Sequence, residues 1–229
     1  MTLCIGEGAG GFATYSHPTF RRYADQIGAD FICIDTPKIK YQGCLTEIRP
    51  ILFEKYQIYD ILETYDRVLY MDTDILVTPH APDIFEVVPY DQVAGVFEDF
   101  GMDMADRRAR IRAVQDALGN LGWTEGYMNS GVFVVSKPHR EAFRLYLEYP
   151  PFDCKYEQTS TNWYLRKVAG NILGLDYKWN YQGISRVFYG PPHRKAYFIH
   201  YAGGGIFYWI PKLDQIQADY EFFYGKAEE

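Results

Sequence analysis

A chain of 229 residues, 48% apolar and 17% aromatic, is long enough for one sizeable α/β domain and apolar enough to fill its core. A net charge of −7 and a pI near 5.3 leave no basic surface to displace phosphate counterions, which argues against a nucleic-acid partner. No apolar stretch reaches the length of a membrane span, no signal-type leader opens the chain, and Cys4, Cys33, Cys44 and Cys154 form no C-x-x-C pair; a cytoplasmic protein with free thiols is expected.

Thr2 to Ile5 reads as a first strand, followed by the glycine-rich loop Gly6-Glu7-Gly8-Ala9-Gly10-Gly11, which lacks dinucleotide-fingerprint spacing but lets a ligand approach the backbone. A helix over His17–Ile27 and a strand over Phe31–Ile34 come next. After Pro50 a helix is expected from Ile51 to Tyr65, feeding the strand Val68–Met71. Strand–helix–strand–helix–strand order predicts an open, mostly parallel sheet flanked by helices, whose ligands gather at the carboxyl ends of the strands. Val93–Phe97 is a further strand, ending in the acidic pair Glu98-Asp99. Met102–Leu118 reads as a charge-laced helix carrying Arg107, Arg108, Arg110 and Arg112, and Gly119–Gly126 as a loop. The segment from Gly101 to Gly126, charged and bounded by glycines, is expected to act as a mobile lid. Tyr127-Met128-Asn129-Ser130-Gly131 leads into the strand Val132–Val135. Glu157 to Asn162 precedes a helix with Trp163, Leu165 and Val168. Ala196–Ile199 is a late strand ending in His200 and followed by Gly203-Gly204-Gly205, and Leu213, Ile216, Tyr220 and Phe223 mark a last helix.

The most informative stretch is Val68-Leu69-Tyr70-Met71-Asp72-Thr73-Asp74-Ile75-Leu76-Val77. Read as one buried strand, it projects Asp72 and Asp74 to the same side. Two carboxylates converging in apolar surroundings repel each other and lose hydration unless a cation lies between them. Hard oxygen ligands suit magnesium or manganese shared with a substrate phosphate. Lys55 stands mid-stripe on the apolar face that Ile51, Tyr59 and Leu62 define. A lysine there either snorkels its ammonium to solvent or meets a phosphate or site carboxylate.

Four ordered segments resemble the motif set of family-8-type GT-A glycosyltransferases over about residues 50–205. They are Tyr65–Asp74, Tyr127–Val132, Glu157–Asn162 and Phe198–Gly203. The resemblance implies a single GT-A domain over residues 1–229 that transfers a sugar from a nucleotide-sugar donor, usually UDP-linked, to a carbohydrate or glycoconjugate hydroxyl with retention. It also implies Mn2+, with Mg2+ as the alternative ion, held by Asp72, Asp74 and His200. Asn129, Glu157 and Gln158 would line the sugar and acceptor side, and Glu98 or Asp99 would supply a carboxylate there. Glu7 and Gly8 would lie near uracil and ribose, and Thr73, Lys55 and Gly203 would belong to the donor site; Glu157, Gln158 and Asp99 are the catalytic candidates.

The chain departs from the family pattern at two points, one of them Thr159, which stands where an acidic residue is common. The usual Lys-Pro-Trp after the histidine motif is replaced by Ile206-Phe207-Tyr208-Trp209, which leaves Lys212, Lys195 and Lys55 as sources of the missing charge. If Lys55 supplies it, replacement by methionine should weaken donor binding at little cost in stability. Two other readings compete with this one. A haloacid-dehalogenase-type phosphatase also has Asp-x-Asp at a strand end but needs a later Gly-Asp or Asp-Asp, and none follows Asp74. A non-catalytic nucleotide-sugar binding module is the other.

Overall fold

A computed structural model describes residues 1–39, 50–152, 157–190 and 192–226. Cys44 and Cys154 lie outside them. In chain order the elements are β1 (Thr2–Leu3), α1 (Glu7–Gln26), β2 (Cys33–Ile34), α2 (Pro50–Phe53), α3 (Ile58–Thr64), β3 (Arg67–Met71), β4 (Ile75–Val77) and α4 (Ile84–Val87). They continue with β5 (Val93–Phe97), α5 (Met104–Leu118), β6 (Met128–Ser136), α6 (Gln158–Ala169), β7 (Ile172–Gly174), α7 (Gly183–Tyr189), β8 (Phe198–His200) and α8 (Lys212–Tyr224). The chain divides into two compact units, one of residues 1–35, 70–84 and 176–229, the other of residues 36–69 and 85–175.

In the first unit β1 and β2 pair in parallel, while β4 and β8 pair antiparallel with Ile75 opposite His200, Leu76 opposite Ile199 and Val77 opposite Phe198. The expected glycine loop after β1 is instead the first turns of α1. Gly6 takes φ +89° and the helix starts at Glu7, because packing of an amphipathic face outweighs the weak helix propensity of the glycines. Leu76, Tyr181, Ile199, Tyr201, Ile206, Ile216 and Tyr220 form the core here, with Phe12 and Tyr15 of α1 and Phe223 and Tyr224 of α8 against it. Inside this aromatic core α8 places a carboxylate, Asp219, that accepts from the Tyr201 hydroxyl (2.7 Å), His193 Nε2 (2.8 Å) and Arg194 Nε (2.7 Å).

In the second unit the strand order is β3–β6–β5–β7. β5 runs antiparallel to β6 and parallel to β7, so the sheet is mixed rather than mostly parallel. All nine residues of β6 are buried, as expected for a strand covered on both faces. Gly95 of β5 is required by this packing, since a Cβ there would meet the Met128 sulfur at 2.4 Å and the Val132 carbonyl at 3.2 Å.

Two expected elements are broken. The helix over 51–65 is interrupted by a 3₁₀ turn at Glu54–Gln57, all four of whose residues are buried. The tighter winding turns Glu54 toward the backbone N–H groups of Lys38 and Ile39 and toward Gln57 Nε2, and Lys55 toward Ser130 and Glu157. The strand read through 68–77 also divides. β3 ends at Met71, Asp72–Asp74 make a turn, and β4 joins a different sheet. The two aspartates therefore converge through a turn and not through strand alternation.

Burial opposes ionisation of Asp219, but the hydrogen bonds of His193, Tyr201 and Arg194 and the charge on His193 outweigh it and hold the carboxyl below its usual range. A carboxylate depressed in the folded state stabilises the fold above its unfolded pKa of about 3.9 and loses that contribution as pH falls through the lower folded value. Asp219→Asn should therefore lower the melting temperature at pH 7 and flatten its decline below about pH 4. Melting curves of variant and wild type that stay parallel from pH 7 to pH 2 would show that this carboxylate carries none of the acid sensitivity.

Candidate active site

Two constellations of polar side chains stand out, one in each unit. In the first unit, the pairing of Ile75 with His200 sets the Asp72–Asp74 turn beside the end of β8, and Tyr201 N donates to the Asp74 carbonyl (2.9 Å). His200 Nε2 lies 3.2 Å from Asp74 Oδ1 and 3.9 Å from Asp72 Oδ2. Its other nitrogen, Nδ1, meets Asn180 Oδ1 at 2.8 Å, which fixes the ring and directs Nε2 at the carboxylates. Asp72 accepts from the Tyr70 hydroxyl (2.7 Å), and the Thr73 hydroxyl donates to the Leu3 carbonyl, tying the turn to β1. One ligand atom from each of Asp72, Asp74 and His200 falls within 4.8 Å of the others. Two carboxylates and an oriented imidazole make an oxygen-rich donor set that could hold a divalent metal ion.

Lys212 completes this constellation. Its ammonium stands 3.2 Å from Asp74 Oδ2. Burial disfavours the Asp74 carboxylate, yet the charge and hydrogen bonds of His200 and Lys212 prevail and hold its carboxyl well below the usual range. Of the three lysines considered for the missing family charge, Lys212 is the one in this constellation. Lys195 is exposed and Lys55 belongs to the second unit. The loop between His200 and Lys212 is organised from within by buried Gln215, which accepts from Ile206 N and Phe207 N and donates to the Phe207 and Ile210 carbonyls. Gly205, at φ +79°, admits that amide, since a Cβ would lie 2.6 Å from Gln215 Nε2. Gly203 is exposed at φ +57°, and Glu7 and Gly8 contribute the first backbone turn of α1.

The second constellation is a continuous buried network. Lys55, 1% exposed, donates to Glu157 Oε1 (2.6 Å) and to the Ser130 carbonyl (3.1 Å), and Ser130 Oγ donates to Glu157 Oε1 (2.6 Å). Gln158 Oε1 accepts from Ser130 N (3.0 Å), while its Nε2 donates to Glu98 Oε1 (2.7 Å). Glu98 also accepts from Asn129 Nδ2 (2.7 Å) and Arg107 Nε (2.7 Å). Glu157, Gln158 and Asn129 thus come together as the sequence suggests, with Glu98 as the carboxylate that joins them. Asp99 does not join them. Both its oxygens accept backbone N–H groups, of Gly126 (2.7 Å) and Tyr127 (2.9 Å), so it latches the loop there. Glu157 is 2% exposed and shares one oxygen between Lys55 and Ser130.

Residues 45–205, well over half of the chain, match the family described as glycosyl transferase family 8. The chain belongs to this family. No curated protein sequence matches the chain significantly. Solved structures share the fold at low identity. A glycosyltransferase involved in glycosylation of the major capsid of PBCV-1 is 14% identical over 95% of this chain and 97% of its own, with a TM-score of 0.58. The galactosyltransferase LgtC, solved with donor and acceptor sugar analogs, is 12% identical over 98% and 96%, with a TM-score of 0.60. The bifunctional glycosyltransferase WbbM is 14% identical with a TM-score of 0.63, and this chain spans 51% of its length. These likenesses establish a GT-A-type α/β fold with a mixed sheet. Family-8 membership also displaces the phosphatase reading.

Sequence reasoning missed Asn180, Ser130 and Arg107 as site partners. Ser130 and Arg107 stood in segments already singled out, but Asn180 follows Trp179 in a stretch with no motif. Its role arises only where the backbone brings it to His200, whose N–H donates to the neighbouring Tyr181 carbonyl (2.8 Å). The lid segment is tied at several points: Trp163 Nε1 donates to the Gly119 carbonyl (2.9 Å), and Gln115 bonds both N–H and carbonyl of Trp123. Among the described residues, no helix is long and apolar enough to cross a membrane.

The geometry around Lys55 reverses one expectation. With its ammonium locked on a buried carboxylate, Lys55→Met strands Glu157 without its cation, and removing one member of such a pair costs about 3–5 kcal/mol. Chemical denaturation should show that loss for Lys55→Met and substantial recovery in the double variant with Glu157→Met. A single variant as stable as wild type would mean the pair carries little energy.

Proposed function

We propose that the chain is a manganese-dependent glycosyltransferase, with magnesium as the weaker substitute, that moves a hexose from a UDP-linked donor to a carbohydrate or glycoconjugate hydroxyl with retention, the whole of residues 1–229 serving as one domain. The observation that carries this reading is the convergence of Asp72, Asp74 and an Asn180-oriented His200 in a chain of this family. A divalent ion held by these three residues would neutralise the charge that develops on the leaving diphosphate. Lys212 brings a second cation to the same place and takes over the part of the absent family lysine, lowering the energy of a polyanionic leaving group by charge alone. The backbone around Gly203 and the Thr73 turn would meet the phosphates, and Glu7 and Gly8 the nucleoside.

For the second constellation, taken by itself, we propose a role toward sugar hydroxyls. Gln158 is the candidate that faces the reacting sugar. Its amide is held from both ends, by Ser130 and by Glu98, so it is ordered before substrate arrives. Asn129 and Glu98 offer hydrogen bonds to sugar hydroxyls, Arg107 balances Glu98, and Lys55 balances Glu157, which acts as a positioning residue through Ser130. We further propose that the segment 101–126 closes on the acceptor side.

The decisive experiment incubates the protein with a panel of UDP-sugars, with and without Mn2+, and follows release of UDP. Manganese-dependent release from at least one donor is expected. A binder without turnover in every donor and acceptor combination would reduce the chain to a nucleotide-sugar binding module. Asp72→Ala and Asp74→Ala should each lower turnover by at least about 10²-fold, the scale for losing one strong transition-state stabiliser. Asn180→Leu, which touches no ligand atom, should weaken Mn2+ binding by about 10- to 100-fold, as losses around metal-bound histidines do. Calorimetric titration that finds the Asn180 variant as tight as wild type would remove His200 from the ligand set.

A further inference from the structure

A second group of metal-ligating side chains lies in the first unit and plays no part in the site above. The Sγ atoms of Cys4 and Cys33 and one ring nitrogen of His17 all fall within 4.8 Å of one another. Three elements bring them together. Thr2 pairs with Cys33 across the parallel β1–β2 ladder, so strand alternation puts Cys4, two residues after Thr2, on the same face as Cys33. His17 is presented by α1, the crossover helix between those strands. Both cysteines are free thiols. The His17 ring sits against Phe31 (5.3 Å between centroids, edge-on) and Phe20 (6.1 Å), and its buried Nε2 has no hydrogen-bond partner among the described residues. A buried polar atom without a partner is uncommon and calls for a ligand or an explanation.

We propose that Cys4, Cys33 and His17 form a binding site for a soft divalent cation, Zn2+ in the first instance, with a fourth position left for water or another ligand. Ligand atoms around a tetrahedral ion with bonds of about 2.0–2.3 Å lie roughly 3.5–3.7 Å apart. Side-chain movements of about 1 Å or less therefore close the cluster. Two thiolates and an imidazole form a softer set than the two carboxylates and imidazole of Asp72, Asp74 and His200, so the two clusters select different ions: sulfur for zinc, oxygen for manganese. Binding would release the two thiol protons, and the resulting dithiolate charge would be matched by the ion. The Arg21 guanidinium, over the Phe31 ring at 4.7 Å and close enough to act electrostatically on both His17 and Cys33, adds further positive charge. A disulfide between the same sulfurs fits less well. Cys4 and Cys33 are diagonal neighbours across the ladder, which from strand spacing and rise places their Cα atoms about 8 Å apart, beyond the roughly 4.4–6.8 Å that a disulfide spans. The site would pin both strands and the crossover helix to one ion.

The test uses the reduced, chelator-treated full chain. Iodoacetamide labelling with and without one equivalent of Zn2+, read by peptide mass spectrometry, should show Cys4 and Cys33 protected at least tenfold by zinc while Cys44 and Cys154 label at unchanged rates. Titration with Co2+ as a spectroscopic substitute should give a thiolate-to-metal charge-transfer band saturating at one equivalent. Cys4→Ser and His17→Gln should weaken Zn2+ binding at least 100-fold, and Asp74→Ala should leave it unchanged. Equal labelling of all four cysteines with and without zinc in the wild-type chain would overturn the proposal whether or not the variants fold. So would Co2+ binding without a sulfur band, or loss of zinc binding in Asp74→Ala with none in Cys4→Ser. Recovery of the chain with Cys4 and Cys33 already disulfide-linked, and not reducible to a zinc-binding form, would equally overturn it.

Discussion

The antiparallel pairing of β4 with β8, with Ile75 opposite His200, is the constraint on which the first constellation depends. Each strand is only three residues long, and neither would hold its register alone. The register is kept by the apolar side chains on either side: Leu76 and Ile199 are fully buried in the same aromatic core that receives Ile216 and Tyr220 from α8. Slipping one strand by a residue would turn those side chains outward. Hydrophobic burial thereby sets the distance between two carboxylates and an imidazole that sit far apart in the chain. Tyr201, next to that histidine, is anchored by Asp219, so the polar hub inside the core also steadies the end of β8.

The second unit solves a different electrostatic problem. Lys55, Glu157, Glu98, Asn129 and Ser130 are all buried, and in a low-dielectric interior each would be costly if left alone. Linked as donor to acceptor they satisfy one another, and the chain of bonds reaches the surface through Arg107, on the charged helix α5, whose partly exposed side chain also donates to Asp106. The network holds the Gln158 amide in one orientation.

Family resemblance and departure also meet in the first unit. The loop after His200 carries aromatic residues where a lysine is usual, and the backbone there is braced by Gln215 instead of by charge. The positive charge arrives one helix later, from the first residue of α8, where an ammonium reaches Asp74.

By itself the sequence determined the α/β class, the family and several of the residues that gather, among them Asp72, Asp74, His200, Asn129, Glu157 and Gln158. An apolar run stopped by two aspartates, a histidine before three glycines and a Glu-Gln opening a helix are local patterns with chemical meaning at short range. It also determined that Lys55 lies on a buried face. What only the tertiary structure decided are the pairings made at long range: that Lys55 answers Glu157, that Lys212 and not Lys55 stands at Asp74, that Asn180 orients His200, and that Glu98 and not Asp99 joins Asn129, Gln158 and Arg107. The split of one apolar run into β3 and β4, the 3₁₀ turn at Glu54–Gln57 and the mixed sheet belong with these. Local periodicity registers which side of an element is apolar, but the partner a buried polar group finds depends on which backbone passes within about 3 Å of it, and that is set by packing of the whole chain.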